Sequence, residues 1–180
     1  MRRLVIAVSG TPGTGKSVFA RALAKRLGAS VIELNTLITE KKIYTLDSDG
    51  TKLANLSKMR KEFARAIKNS SGPIIAEGLL AHLLQKKLLT HVVVLRTRPK
   101  VLERRLRARD YSNAKMRENI EAEALDIILW EAVDAHGIDK IYEIDTTGLK
   151  PGAAVDLFSK ALKGKTSLKP GKVSWLSEVF

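Results

Sequence analysis

The chain has 180 residues, 44% of them hydrophobic, with 32 Lys and Arg against 19 Asp and Glu and no cysteine. That length supports one domain with a core of its own. It holds no apolar run near the length of a membrane span, and no disulfide or thiolate metal site is available. The net charge of +13 reads either as a solvated surface or as a preference for anionic partners such as polyphosphate or nucleic acid.

Taken in chain order, Met1-Arg2-Arg3-Leu4 runs straight into a strand-like stretch without the apolar helix of a signal peptide, so cytoplasm is the expected compartment. Residues 4–8 are an apolar run ending at Ser9-Gly10, the pattern of a buried parallel strand. A helix follows, with Phe19, Leu23 and Leu27 on one face and Gly28 closing it. Residues 31–34 predict a second strand. Residues 35–55 are mixed, with a turn at Asp47-Ser48-Asp49-Gly50. Leu56, Met59, Phe63 and Ile67 mark one face of a helix ended by Ser70-Ser71-Gly72.

Further strands are expected at 73–76, 91–95 and 140–144. Arg98-Pro99 opens a basic helix interrupted around Asp110-Tyr111-Ser112-Asn113, after which one long helix is expected to reach His136-Gly137. From Arg96 to Arg117 there are nine Lys and Arg against two acids, more than half of the net charge. Pro151 suits a first helical turn, and Ala154, Leu157, Phe158 and Ala161 give the last helix its apolar face. The tail from Gly164 carries Val173, Trp175, Leu176, Val179 and Phe180, and either folds back on the body or offers a partner an anchor. Strands alternating with helices predict an α/β fold, a five-stranded parallel sheet with helices on both faces.

Gly10-Thr11-Pro12-Gly13-Thr14-Gly15-Lys16-Ser17 fits G-x-x-x-x-G-K-[ST] in full, between an apolar strand and an amphipathic helix. Glycines let successive backbone N–H groups converge on phosphate oxygens, and the following helix turns its positive end to the same anion. Lys16 is expected to bridge the β- and γ-phosphates of ATP, and the Ser17 hydroxyl to hold Mg²⁺. The Asn-Lys-x-Asp motif of guanine readers is absent. The length fits the nucleoside-monophosphate kinase architecture, with an acceptor lobe at about 31–55, a lid at about 104–115 and a tail at 164–180 beyond a domain of 1–163.

The phosphate loop, Leu95-Arg96-Thr97-Arg98-Pro99, Arg105-Leu106-Arg107-Ala108-Arg109-Asp110-Tyr111 and Glu118-Asn119-Ile120-Glu121-Ala122-Glu123 together resemble the adenylate kinase isoenzyme 6 family, in its archaeal branch. The resemblance implies a broad-specificity nucleoside-monophosphate kinase that also hydrolyses ATP. It also implies a role in late small-subunit ribosome maturation. The implied partners are the universal small-subunit ribosomal protein eleven, on the platform, and the small-subunit rRNA. Carried over residue by residue, the ATP site would be Gly13, Thr14, Gly15, Lys16, Ser17 and Val18, with Arg109 from the lid and Arg105 beside it on one helical face.

The chain departs from that pattern at the acceptor. Ordinary adenylate kinases follow the third strand with an arginine that clamps the acceptor phosphate, whereas Glu77-Gly78-Leu79-Leu80-Ala81-His82 has none. The acceptor lobe offers Asn35-Thr36 and then Lys41-Lys42 where an arginine is usual.

Glu77 ends an apolar strand where ligands collect. It would orient Mg²⁺-bound water or the attacking oxygen, or else be a carboxylate at a helix start. Arg105 and Arg109 would neutralise the transferring phosphoryl group, or form an exposed basic face. His82 reads as a satisfied buried histidine. Asp145-Thr146-Thr147-Gly148 is either the adenine-holding turn or a plain one. Glu118, Glu121, Glu123 and Asp126, or Glu33, Glu40, Asp47 and Asp49, are the acidic candidates for docking a basic protein. Two duties remain open: a phosphotransferase whose product matters, or an assembly factor switched by ATP hydrolysis. Outside this family, a small-metabolite kinase with no ribosomal role is the alternative.

Overall fold

The computed structural model describes residues 3–48 and 50–180; Met1, Arg2 and Asp49, and the readings that fall on them, lie outside the described residues. The first elements are β1 (Val5–Ser9), α1 (Lys16–Leu27), β2 (Ser30–Glu33) and α2 (Leu34–Glu40). A hairpin, β3 (Tyr44–Leu46) and β4 (Lys52–Ala54), leads to α3 (Leu56–Lys68) and β5 (Ile74–Glu77). Then come β6 (His91–Arg96), α4 (Pro99–Arg107), α5 (Asn113–Ala124), α6 (Ile127–His136), β7 (Ile141–Asp145), α7 (Pro151–Leu162) and α8 (Leu176–Val179).

The five long strands form one parallel sheet in the order β2–β5–β1–β6–β7. Because side chains alternate along a strand, each strand feeds two cores. Ile6, Val8, Ile75 and Val93 pack with Phe19 and Leu23 of α1 and Phe158 of α7. Val5, Ala7, Ile74 and Val92 pack with Phe63 of α3 and Leu129 of α6. Strands buried on both faces explain the continuous apolar runs in the sequence. No helix among the described residues is long and apolar enough to cross a membrane.

The segment read as mixed holds α2 and the hairpin, and the Asp47 carboxylate accepts the Thr51 N–H at 2.8 Å where the turn is expected. Two features differ from expectation. The long helix is two helices, broken where Asp126 takes the left-handed φ of 56°. At the break the buried Arg96 guanidinium meets Glu123, Glu143 and the half-buried Asp126. Arg96 and Glu123 are therefore spent inside the molecule, and Asp126 is paired at its edge. Glu118 and Glu121 pair with Lys115 and Arg117, so the α5 carboxylates are not a free acidic surface.

The tail returns to the body. Leu168 O accepts the Glu143 N–H, and the Gly171 and Lys172 N–H groups donate to Glu143 Oε2 at 2.9 and 3.0 Å. Trp175 is buried under the Arg98 guanidinium, 5.4 Å from its ring centroid, and Arg98 also pairs with Glu178 at 2.9 Å. Trp175 is thus an internal anchor.

Candidate functional site

The loop between β1 and α1 lies at the C-terminal edge of the sheet, where parallel α/β folds collect ligands. Its tight course depends on missing side chains. A Cβ on Gly10, at φ 144°, would fall 2.5 Å from the Leu95 carbonyl oxygen, and one on Gly13 would fall 2.8 Å from Leu102 Cδ1. Thr11 O accepts Thr14 Oγ1 at 2.8 Å and Lys16 Nζ at 3.1 Å, which closes the loop on itself. Gly15 caps α1 at φ 93°, with no acid in the first turn, so the positive helix end stays open to an anion. Burial pushes the Lys16 ammonium down to about 8, against the pull of Glu77 and with the push of Arg109. A polyphosphate would restore the full charge.

Ser17 Oγ donates to Glu77 Oε1 at 2.9 Å. Glu77 is buried, yet its Oε2 has no partner among the described residues. A carboxylate oxygen left alone in a buried site is costly unless a cation or ligand meets it. A serine hydroxyl and one carboxylate are the hard oxygen donors that Mg²⁺ takes from a protein when phosphates and water supply the rest. The residues fit Mg²⁺ with ATP.

Three cavities sharing walls run along this edge. One of about 250 Å³ lies between Val18, Phe19, Leu149, Pro151 and Ala154, with Gly13, Arg105 and Arg109 at its phosphate end. The middle cavity, about 420 Å³, holds Lys16, Ser17, Glu77, Arg109, Tyr111 and Lys115. The third, about 640 Å³, is walled by α2, the hairpin and Leu79, Leu80 and Leu83. Gly13, Gly15, Val18 and Arg109 are common to the first two, and Asn35, Thr51 and Leu79 to the last two. An apolar slot, a cationic centre and a second apolar chamber in line suit a nucleotide and an acceptor meeting at Lys16.

Arg105 and Arg109 both reach this cleft, but not from one helical face. α4 ends at Arg107, so Arg109 stands in the turn that follows. Arg105 donates to Gly13 O at 3.1 Å; burial, then Arg109 and Arg104, hold its pKa below the ordinary value. The Thr146 hydroxyl lies 3.0 Å from Thr14 O and 2.8 Å from Thr97 Oγ1, so the turn at 145–148 packs on the phosphate loop as well as lining the slot. His82 is satisfied on both nitrogens, Nδ1 2.8 Å from Ser9 Oγ and Nε2 2.8 Å from Glu131 Oε2. It ties the turn after Glu77 to the start of the phosphate loop.

A supporting layer escaped sequence reasoning. Thr11 Oγ1 donates to Glu123 Oε2 at 2.5 Å, and the other oxygen of Glu123 accepts Arg96 Nε at 2.8 Å and the Thr97 N–H at 3.0 Å. Arg96 Nη1 donates to Glu143 Oε1 at 2.9 Å. Burial opposes the Arg96 charge, but Glu123 and Asp126 outweigh it and hold its pKa above the ordinary value. The only linear trace of this network is an arginine ending an apolar strand, a charge with no reason to be there unless acids meet it.

Residues 6–126 match the model of a family described as an AAA domain. The chain is 34% identical over 177 residues to a protein of Thermococcus kodakarensis named "Putative adenylate kinase", covering 98% of this chain and 95% of that one. It is 39% identical over 176 residues to a protein of Halobacterium salinarum of the same name, covering 97% and 99%. Among solved structures, shikimate kinase from Bacteroides thetaiotaomicron superposes with a TM-score of 0.60 at 19% identity, over 90% of this chain and 99% of that one, a likeness of fold.

Proposed function

Because this chain belongs to the AAA domain family and to the archaeal group that includes those two relatives, we propose that it is an adenylate kinase: an ATP:nucleoside-monophosphate phosphotransferase that also hydrolyses ATP. The observation that carries the reading is the Ser17–Glu77 pair, with its lone carboxylate oxygen, above a phosphate loop flanked by an apolar chamber on each side. ATP lies with its base in the slot beside Leu149 and its phosphates across Gly13, Thr14, Gly15, Lys16, Ser17 and Val18. Mg²⁺, held by Ser17 and Glu77, would neutralise charge on the β- and γ-phosphates when bound.

Phosphoryl transfer asks little covalent chemistry of a protein, so the residues act by position and charge. Lys16 holds the β- and γ-phosphates, and Arg105 and Arg109 meet the charge that spreads over the transferring group. Glu77 orients the attacking oxygen. That oxygen belongs to an acceptor phosphate in the hairpin chamber, or to water when the chamber is empty. A cytoplasmic setting is part of the same proposal.

The test compares ADP formed from ATP and AMP with phosphate released from ATP alone. Both are expected in the wild type, and both should fall by orders of magnitude in Lys16→Ala with circular dichroism unchanged. A wild type that forms no ADP with any monophosphate, yet phosphorylates a small hydroxylated metabolite, would replace this reading with the alternative.

The resemblance to the isoenzyme 6 branch adds the ribosomal role and the platform-protein partner to the proposal. The basic block lends rRNA less support than its sequence suggests. Arg96 is buried, Arg98, Arg107, Lys115 and Arg117 are paired with acids, and Arg105 and Arg109 face the cleft. The remaining acidic docking face is the exposed Glu40 of the acceptor lobe, since Glu33 pairs with Arg21 at 3.4 Å. Titration of the platform protein should weaken with Glu40→Lys; unaltered binding removes this face.

A further inference from the structure

A monophosphate acceptor carries roughly two negative charges, and a chamber that takes it needs a cation placed for it. The arginines usual at this point in adenylate kinases are absent, and Thr39 and Asn35 stand on the chamber-facing side of α2. Most of the remaining wall is apolar, with Ile38, Leu53, Leu56, Leu79, Leu80 and Leu83. Among the described residues lining it, Lys52 is the single cation.

Lys52 is exposed on the hairpin, but its ammonium has defined partners. Its Nζ donates to Thr39 Oγ1 at 3.2 Å and sits 4.7 Å from the centroid of the Tyr44 ring. The Thr39 bond draws the ammonium from the hairpin toward α2, at the chamber that the two elements wall, while Tyr44 supports it from within the hairpin. An ammonium has three donors, and the Thr39 bond uses one. Thr51, the preceding residue, lines both this chamber and the cavity of Lys16 and Glu77. Lys52 therefore stands one residue from the junction, where an acceptor phosphate must lie if its base occupies the apolar part and its oxygen faces the γ-phosphate; it serves the chamber side, and Lys16, Arg109 and Lys115 line the middle cavity on the other.

We propose that Lys52, presented by Thr39 and Tyr44, is the acceptor-phosphate contact of this enzyme and selects a monoanionic or dianionic acceptor over a neutral one. This rests on the kinase reading above. A lysine is a point charge without the planar fork of arginine, so it discriminates by charge and tolerates variation in the rest of the acceptor.

The test measures steady-state kinetics with AMP, together with calorimetric binding of AMP and of adenosine. In the wild type AMP should bind more tightly than adenosine. In Lys52→Ala the KM for AMP should rise roughly tenfold to a hundredfold, the loss of one charge-assisted hydrogen bond, while kcat at saturating AMP and the KM for ATP move little. Binding of AMP should fall to that of adenosine, and Lys52→Arg should restore most of the difference. An unchanged KM and an unchanged AMP preference in Lys52→Ala overturn the proposal. So does an equal loss of adenosine binding, which marks Lys52 as structural. A wild type that binds AMP over adenosine through Lys52, yet transfers no phosphate to it, leaves the contact standing and rejects the kinase reading alone.

Discussion

Lys16 is the residue whose chemistry changes most on binding. In the free site burial holds its pKa at about 8, whereas a bound polyphosphate stabilises the ammonium and raises it. Below that value the lysine is already charged and binding takes up no proton. Above it each binding event must first protonate Lys16, so affinity should be level below about pH 8 and fall by up to tenfold per pH unit above it. Calorimetry in buffers of different ionisation enthalpy should show proton uptake only on the alkaline side. Level affinity up to about pH 10, the ordinary lysine range, would mean that the free site keeps the lysine charged. Glu77, proposed to hold Mg²⁺ and to orient the attacking oxygen, is expected to behave differently. Glu77→Gln keeps the shape and the Ser17 contact but loses the charge, so turnover should fall by a factor of roughly a hundred or more while ATP binds within a few-fold. Equal losses in both would make Glu77 a structural carboxylate.

At the level of elements, the phosphate loop is braced by α5, whose Glu123 joins Thr11 to Arg96. The carboxylates of Glu123 and Glu143 are almost wholly buried and rely on one guanidinium. Arg96→Met would leave them uncompensated, and removing one member of such a group costs about 3–5 kcal/mol, a large part of a typical domain's stability. Urea unfolding should show that loss, and ATP should recover part of it by binding only the folded form. A loss below about 1 kcal/mol, the range of exposed pairs, would mean that water reaches the cluster. The same elements mark how far sequence reading carries. The five strands and the loop of β1 were legible because apolar runs and glycine spacing are local signals. Asp126 was not, since its left-handed turn carries no local signal and its partner Arg96 lies 30 positions earlier. The place of Arg109 was missed for a related reason. A four-residue spacing implies one helical face only while the helix lasts, and α4 stops at Arg107. Lys52 carries no motif at all, and only the hairpin brings it to Thr39.

For the whole molecule, the tail contributes to the body's interior: Gly171 and Lys172 complete the hydrogen bonding of Glu143, and Trp175 packs beneath Arg98. A chain stopped at residue 164 would uncover Glu143 Oε2 and the Trp175 seat. It should keep the sheet's circular dichroism and lose roughly 2–4 kcal/mol by urea titration, the scale of one buried polar group and one large side chain. Unchanged stability would show the tail to be a passive covering. This closure has a consequence for synthesis. The chain leaves the ribosome from its N-terminus, at about 5–20 residues per second, so β1, the phosphate loop and α5 emerge well before residue 172. Until it arrives, Glu143 has only Arg96, and the brace behind the loop is unfinished. The nascent protein can gather its sheet early, but the binding surface takes its final form only after the tail has threaded back. Nucleotide binding at full strength by the nascent chain is thus expected only after residue 172 has left the ribosome.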